Sequence, residues 1–182
     1  ISTISVYGNT DSDIINETTL KRVCDDTYGE SKLASEDLFL QYYKEKKLPI
    51  VIIQPTIVYG PFSRIWTINP IKQLKYGRVA LINGGTGLCN LVYIDDVVNA
   101  LILAANCAEA IGETFLISSN ELITWEEFYK KYEKMINTNS TFSINKNDAI
   151  NILQYNKIQL NHNKNKKAHF HIFSKNFRFF IK

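Results

Sequence analysis

The 182 residues predict an α/β fold built on a parallel sheet, and three features of the sequence support this prediction. Apolar runs of strand length, such as residues 50–53, are typical of strands that are buried on both faces. These runs alternate with stretches of helical pattern, of which residues 26–47 form the longest. A hydrophobic content of 45% with 21% charged residues provides enough apolar material for a core and excludes disorder of the whole chain.

The first 55 residues contain two predicted strands and one helix. Residues 1–6 are a short β-rich run, which we interpret as a strand, and the polar stretch after it is predicted to be a long loop. Residues 26–47 follow a helical pattern with a lysine-rich end, as helix C-termini often have, and Pro49 stops the helix. The apolar run at 50–53 is the next strand, which Pro55 ends.

Shorter elements continue the alternation, and several carry start or stop signals. Gly77 closes a helix, Asp95 is expected to cap another, and Thr124 opens a capping box. The predicted elements are a helix at 68–76, a strand at 79–82, a glycine turn at 84–87, an extended segment at 91–94, a helix at 96–106, a strand at 114–117 and a helix at 124–136.

Metal sites, disulfides and membrane spans are not indicated by the sequence. Asp95 and Asp96 resemble a helix start more than a pair of metal ligands, so we predict no metal. The cysteines are too few and too widely spaced for a disulfide framework or a zinc site, and they fit a reducing cytoplasm: Cys24, Cys89 and Cys107. No stretch approaches the roughly 18–20 apolar residues of a membrane span, so no membrane partner is expected. The first residue is Ile1, and we expect the chain to begin inside a fold.

Charge is distributed unevenly along the chain. Residues 138–182 carry eight basic residues and one acidic residue, for a net charge of +7, whereas residues 1–137 carry a net charge of −4. Basic and aromatic residues alternate near the end of this tail, a pattern that can bind nucleic acid or an anionic membrane. An Asn- and Lys-rich segment without a binding role is the alternative, and on that interpretation no nucleic-acid partner is expected.

Tyr28 and Lys32 are the sharpest candidates for chemistry. Residues four apart on a helix share one face, and an ammonium beside a phenol favours the phenolate, which can exchange a proton with a sugar hydroxyl. The spacing alone is weak evidence because the same helix also contains the pairs Tyr42/Lys46 and Tyr43/Lys47. The surrounding motifs distinguish the first pair from the other two.

Four motifs in order resemble those of the extended short-chain dehydrogenases/reductases, in the NAD-dependent epimerase/dehydratase family. The motifs are Thr3 four residues before Tyr7-Gly8, Tyr28-x-x-x-Lys32, the segment Pro55–Pro61, and Val92–Val97 followed by Gly112–Phe115. Thr3 precedes Tyr28 by 25 residues, which is similar to the family spacing. The resemblance covers about residues 1–137 and identifies the chain as a member of this nucleotide-sugar family.

The resemblance implies a role for individual residues. Tyr28 is expected to move a proton at the substrate hydroxyl, Thr3 to hydrogen-bond the same oxygen, and Lys32 to hold the nicotinamide ribose. Tyr28 and Lys32 would contact the cofactor together with Pro55 and Val58. Candidate substrate contacts are Tyr7, Arg64 and Asn90. The chain departs from the family at Gln54, where many relatives have arginine, and at Cys89-Asn90, where many have an Arg-Asp pair.

The resemblance also implies which parts of the fold are present. We expect the second half of a Rossmann-like doubly wound parallel sheet and a small α/β substrate lobe, with the N-terminal βαβ units absent. Residues 1–60 and a returning strand at 114–118 are assigned to the NAD-binding half, 61–137 mainly to the substrate lobe, and 138–182 to a poorly ordered tail. The cofactor is NAD or NADP, although none of the eight glycines forms the Gly-x-x-Gly-x-x-Gly turn that binds the pyrophosphate.

Three functions remain open from the sequence. The chain can be part of an NAD(P)-dependent epimerase, dehydratase or reductase that acts on a nucleotide sugar. It can also be a truncated remnant without turnover, or a binding module that works through its basic tail. Relatives are often homodimers, which makes a second copy a possible partner.

Overall fold

The computed structural model describes residues 1–152 apart from 9, 11–13 and 23–25, and also residue 154. These residues form two compact units. The first unit comprises Ile1–Pro61 and Asn90–Glu121, and the second comprises Phe62–Cys89 with the described residues from Leu122 onward. The chain therefore leaves the first unit at Pro61 and returns to it at Asn90.

Parallel strand pairs dominate both units. The strands in the described residues are β1 (Ile52–Pro55), β2 (Ile57–Tyr59), β3 (Val79–Ile82), β4 (Leu91–Tyr93), β5 (Thr114–Ile117) and β6 (Thr141–Ile144). The α-helices are α1 (Thr27–Lys46), α2 (Asn69–Tyr76), α3 (Ile94–Asn106) and α4 (Trp125–Ile136). Strand β1 pairs with β5, β2 with β4 and β3 with β6, all in parallel. The predicted α/β fold with parallel sheets is confirmed.

The first residues form a 3-10 helix over Ile4–Tyr7, so the predicted strand at 1–6 is wrong from Ile4 onward. Thr3 has extended backbone angles and caps this helix by accepting a hydrogen bond from the Ser5 N–H. Only the start of the segment behaves like a strand, because the Ser2 N–H donates to the Ile53 carbonyl at 2.7 Å. The local threonine cap competes here with the β propensity of the sequence.

Helix α1 begins and ends close to the predicted limits of 26–47. Asp26 caps the helix by accepting from the backbone N–H groups of Tyr28 and Gly29, both at 3.2 Å. Lys47 ends it in the left-handed conformation, and Lys44 and Lys46 occupy the last turn. These lysines suit the negative end of the helix dipole.

The core of the first unit lies between α1, α3 and the strand pairs. Its buried apolar side chains are Val6, Tyr7, Ile52, Ile53, Leu91, Val92, Val97 and Ala110. Strand β5 is less buried than the sequence indicated, since Phe115 is 37% exposed. Helix α3 begins at Ile94 without a side-chain cap, so the predicted cap at Asp95 is wrong: Asp95 and Asp96 lie in the first turn, where acidic residues favour the helix dipole.

The second unit has an aromatic core along α4. Phe128 packs edge-on against Trp125, Tyr129 and Tyr132, with ring centroids 5.0 to 5.7 Å apart. The predicted capping box at Thr124 is confirmed, with Glu127 and Thr124 bonding each other's backbone N–H groups. Helix α2 also matches its predicted place, although a π-helical turn, Arg64–Ile68, precedes it.

The predicted tail at 138–182 contains a strand that the sequence did not indicate. Strand β6 pairs with β3 from Val79 to Ile82, and residues 146–152 are helical. The prediction that the chain is poorly ordered from residue 138 onward is therefore wrong for these residues. The histidines and the basic-aromatic stretch of the tail lie outside the described residues. Among the described helices, none has the length and hydropathy needed to cross a membrane.

Candidate active site

Thr3 lies at the junction between the sheet and the 3-10 helix of the first unit. The residue is 8% exposed, and its neighbour Ser2 is bonded to Ile53 in β1. The Thr3 hydroxyl accepts from the Ser5 N–H at 3.2 Å and donates to the Ser5 hydroxyl at 3.3 Å. The second contact is long for a hydrogen bond between two hydroxyls, so the Thr3 hydroxyl can donate to another oxygen instead.

Gly29 brings α1 directly against this segment. A methyl group at Gly29 would lie 3.0 Å from the Ser5 carbonyl oxygen, which is closer than ordinary van der Waals contact. The helix backbone therefore touches the backbone that follows Thr3. This close approach places Tyr28, the residue before Gly29, beside the Thr3 segment.

Tyr28 and Lys32 lie on one face of α1, as their spacing predicts. The Lys32 ammonium is 5.9 Å from the centroid of the Tyr28 ring and donates to the Ile1 carbonyl oxygen at 3.2 Å. Tyr28 is 52% exposed, so its phenol is accessible to a ligand. The bond from Lys32 to Ile1 links the helix to the residues before Thr3. The structure thus places Tyr28 and Lys32 on one face of α1 and ties Lys32 to Ile1, two residues before Thr3. The catalytic roles of Thr3, Tyr28 and Lys32 stay predictions.

Pro55 and Val58 lie at the carboxyl end of β1 and in β2. Pro55 is buried and is aligned with Ile117 of β5, and Val58 is half-buried and aligned with Val92 of β4. Ligands of open α/β sheets bind beyond the carboxyl ends of the strands. The location of both residues fits the predicted cofactor contacts, which stay predictions.

Tyr7 does not occupy the place that was expected for a substrate contact. Its side chain is 0% exposed, and its hydroxyl donates to the Gln54 side-chain oxygen at 2.7 Å. Burial raises the pKa of the Tyr7 phenol, and the charges of Glu36 and Glu17 raise it further, against the lowering effect of the Gln54 bond. The assignment of Tyr7 to the substrate is corrected: the residue belongs to the core.

Arg64 and Asn90 are both exposed, and neither has a structural feature that marks a ligand site. Asn90 belongs to the first unit, where its backbone carbonyl accepts from the Ile57 N–H at 3.0 Å. Arg64 belongs to the second unit and begins its π-helical turn. Their roles as substrate contacts stay predictions.

Sequence reasoning missed a buried polar group one helical turn from the candidate residue Lys32. Glu36 is 2% exposed and Gln54 is 0% exposed, and the two side chains are bonded at 2.8 Å. Glu36 also forms an ion pair with Lys21. The sequence contained one indication of this group: Glu36 lies one helical turn after Lys32, on the same face of α1.

The residues present fit one end of NAD or NADP. Lys32 is a half-buried residue whose ammonium has three donors. One donor is used by the Ile1 carbonyl, so the others can bind the two hydroxyls of a ribose. The pyrophosphate end requires backbone N–H groups of a glycine-rich turn, and these 182 residues contain no such sequence. Within the described residues, no cluster of three or more His, Cys, Asp or Glu side chains is arranged to hold a metal ion.

Comparisons with known proteins find relatives of similar sequence. The chain is 31% identical to dTDP-D-glucose 4,6-dehydratase of Mus musculus over 144 residues, which are 77% of this chain and 40% of the relative. It is 32% identical over 123 residues to an uncharacterized UDP-glucose epimerase of Bacillus subtilis, covering 66% of this chain and 38% of the relative.

A solved structure, UDP-glucuronic acid 4-epimerase from Bacillus cereus in complex with NAD, superposes with a TM-score of 0.70 at 30% identity. The match covers 79% of this chain and 48% of that structure, so the chain spans less than half the length of these relatives. The family model of the NAD dependent epimerase/dehydratase family matches residues 1–118, which contain the whole Thr3, Tyr28 and Lys32 arrangement, and the chain therefore belongs to that family.

Proposed function

We propose that this chain forms the catalytic part of an NAD(P)-dependent epimerase, dehydratase or reductase that acts on a nucleotide sugar. The observation that supports the proposal is the close approach of α1 at Gly29 to the Ser5 carbonyl, which follows Thr3, on the helix that carries an exposed phenol and an ammonium on one face. Solved relatives with NAD and curated relatives with nucleotide-sugar names support the choice of cofactor and substrate.

Each of the three residues has a distinct role in this proposal. Tyr28 takes the proton from a substrate hydroxyl as the general base. Thr3 donates to the same substrate oxygen by exchanging its long bond to Ser5. Lys32 holds the nicotinamide ribose and keeps its charge near Tyr28. The bound cofactor supplies the hydride acceptor for the carbon that carries this hydroxyl.

The proposal is tested by changing Tyr28→Phe in the full-length protein. We expect turnover of nucleotide sugars to fall by about 10²- to 10⁴-fold, the usual contribution of a positioned acid/base, while NAD binding persists. The matched control is Tyr42→Phe, because Tyr42 lies on the same helix, is 48% exposed and also precedes a lysine by four residues. Equal activity of the two variants would rule out the role of Tyr28.

The substrate is identified by screening nucleotide sugars and following both cofactor absorbance and product mass. A product lighter than the substrate by one water molecule identifies a dehydratase. A product of unchanged mass and altered stereochemistry identifies an epimerase, and net consumption of the reduced cofactor identifies a reductase. Absence of turnover with every nucleotide sugar, in a folded protein that binds NAD, would contradict the proposed substrate class.

A further inference from the structure

A chain of polar side chains crosses the interior of the first unit. The Tyr7 hydroxyl donates to the Gln54 side-chain oxygen at 2.7 Å, and the Gln54 amide donates to one carboxylate oxygen of Glu36 at 2.8 Å. The other oxygen of Glu36 accepts from the Lys21 ammonium. Glu36 is 2% exposed and the Lys21 side chain is 23% exposed, so the ion pair is largely shielded from water.

Lys32 is also a possible partner of Glu36. Residues four apart on a helix are neighbours, and Lys32 precedes Glu36 by four positions on α1. In the structure, however, the Lys32 ammonium bonds the Ile1 carbonyl and lies 5.9 Å from the centre of the Tyr28 ring. A buried carboxylate without a cation is strongly unfavourable, so the ion pair with Lys21 removes the main electrostatic attraction of Glu36 for Lys32.

The loop that carries Lys21 is attached independently of this ion pair. The Glu17 carboxylate accepts from the Leu116 N–H at 2.8 Å, and the Arg22 N–H donates to the Val6 carbonyl at 3.1 Å. These contacts anchor the loop on both sides of Lys21. The backbone contacts of the loop therefore keep Lys21 near Glu36, in addition to the attraction between the two charges.

We propose that Lys21 is a positioning residue that keeps Lys32 at Tyr28 by acting as the counter-ion of Glu36. When Lys21 is absent, Lys32 turns toward Glu36 and leaves Ile1 and Tyr28. The consequence for cofactor binding rests on the proposed function, whereas the movement of the Lys32 side chain does not.

The test compares three variants of the full-length protein: Lys21→Met, the double variant Lys21→Met/Glu36→Gln, and the control Lys44→Met. Lys44 is exposed on α1 and has no part in this network. In crystal structures we expect Lys32 to pair with Glu36 in Lys21→Met and to return to Ile1 in the double variant. We expect NAD affinity to fall about tenfold in Lys21→Met, as for one lost charge-assisted hydrogen bond, and to return to within about twofold in the double variant.

The position of Lys32 in the crystal structures separates positioning from a purely structural role, because Glu36→Gln also removes an unpaired buried charge and can restore stability without moving Lys32. Lys32 remaining at Ile1 in folded Lys21→Met would overturn the inference, as would loss of affinity that persists in the folded double variant. If Lys21→Met fails to fold while the double variant folds, Glu36 had no second partner and the inference is likewise overturned. If the unaltered protein does not bind NAD, the proposed function fails, and the crystal structures still decide the position of Lys32.

Discussion

At the scale of single residues, Gly29 shows why one of three tyrosine–lysine pairs on α1 is special. All three pairs have the same spacing, but only Tyr28 and Lys32 flank the point where the helix backbone meets the Ser5 carbonyl. The Tyr42 and Tyr43 pairs lie at the far end of the helix, more than two turns away. Proximity to Thr3 therefore depends on a residue that has no side chain.

Replacing Gly29 with alanine tests this dependence. Glycine to alanine in a helix normally stabilises a protein by about 1 kcal/mol, but here the added methyl would meet a backbone oxygen at 3.0 Å. We expect the two effects to leave stability within about 1 kcal/mol of the original while kcat falls about tenfold or more, since small displacements at a site are costly. Gly87→Ala is the control, because a methyl there would meet only the Trp125 ring, at 3.8 Å. Full activity of Gly29→Ala would contradict the importance of this contact.

The candidate catalytic residues could be proposed from the sequence because their spacing within a helix and within a motif is local. The buried partners could not, since nothing in the sequence tells that Gln54 faces Glu36 or that Lys21 reaches it across a loop. Tyr7 was misassigned for the same reason. Its motif position is informative, but the direction of its side chain depends on long-range packing.

At the scale of secondary structure, Glu133 of α4 explains how β6 is attached. Its carboxylate accepts from the backbone N–H groups of Ser140 and Thr141, from the Thr141 hydroxyl at 3.0 Å and from the Lys130 ammonium at 2.7 Å. The carboxylate therefore holds the start of the strand, and β3 pairs along its whole length. Strand β6 was not predicted because its apolar content is modest and its stabilising contacts come from another element.

The pH dependence of stability follows from this carboxylate. Burial raises the pKa of Glu133, but the hydrogen bonds from Lys130, Thr141 and Ser140 together hold it below its ordinary value. Because the pKa of Glu133 is lower in the folded state, its ionised carboxylate stabilises the fold at pH values above the unfolded-state pKa of about 4.3. This stabilisation is lost as the pH falls through the folded-state pKa. We expect Glu133→Gln to lower the free energy of unfolding by about 2 kcal/mol at pH 7 and by progressively less below pH 4.

Urea unfolding at several pH values measures this difference, and amide exchange at Ser140 and Thr141 reports the strand directly. The control is Glu126→Gln, which removes an exposed charge from the same helix. A destabilisation by Glu133→Gln that is equally large at pH 3 and pH 7 would show that the charge is not its cause.

At the scale of the whole molecule, the order of elements was more predictable than their surroundings. Strand and helix alternation, the capping box and the parallel pairing all follow from hydrophobic pattern and local signals. The start of the chain is a 3-10 helix and not the predicted strand, because the threonine cap outweighs the β propensity of these residues. Strand β5 is more exposed than predicted, because the exposure of a strand depends on the elements that cover it. The crossing of the chain between two units at Pro61 and Asn90 has no local signal of its own.

The division of cofactor contacts over the molecule leads to a last prediction. These 182 residues contain the ammonium suited to the nicotinamide ribose but no glycine-rich turn for the pyrophosphate. Two charge-assisted hydrogen bonds to a pyrophosphate contribute roughly 3 kcal/mol or more, which is about a hundredfold in affinity. We expect the 182-residue chain to bind NAD and nicotinamide mononucleotide with affinities within about threefold of each other, since the shared nicotinamide end supplies the contacts.

The Bacillus cereus UDP-glucuronic acid 4-epimerase, solved with NAD, is the comparison and should prefer NAD by about a hundredfold. Calorimetry on both proteins, with Lys32→Met to remove the ribose contact and Lys46→Met as its matched control, measures these affinities. A strong preference of the 182-residue chain for NAD would reveal a pyrophosphate site that neither its glycines nor its helix starts indicate.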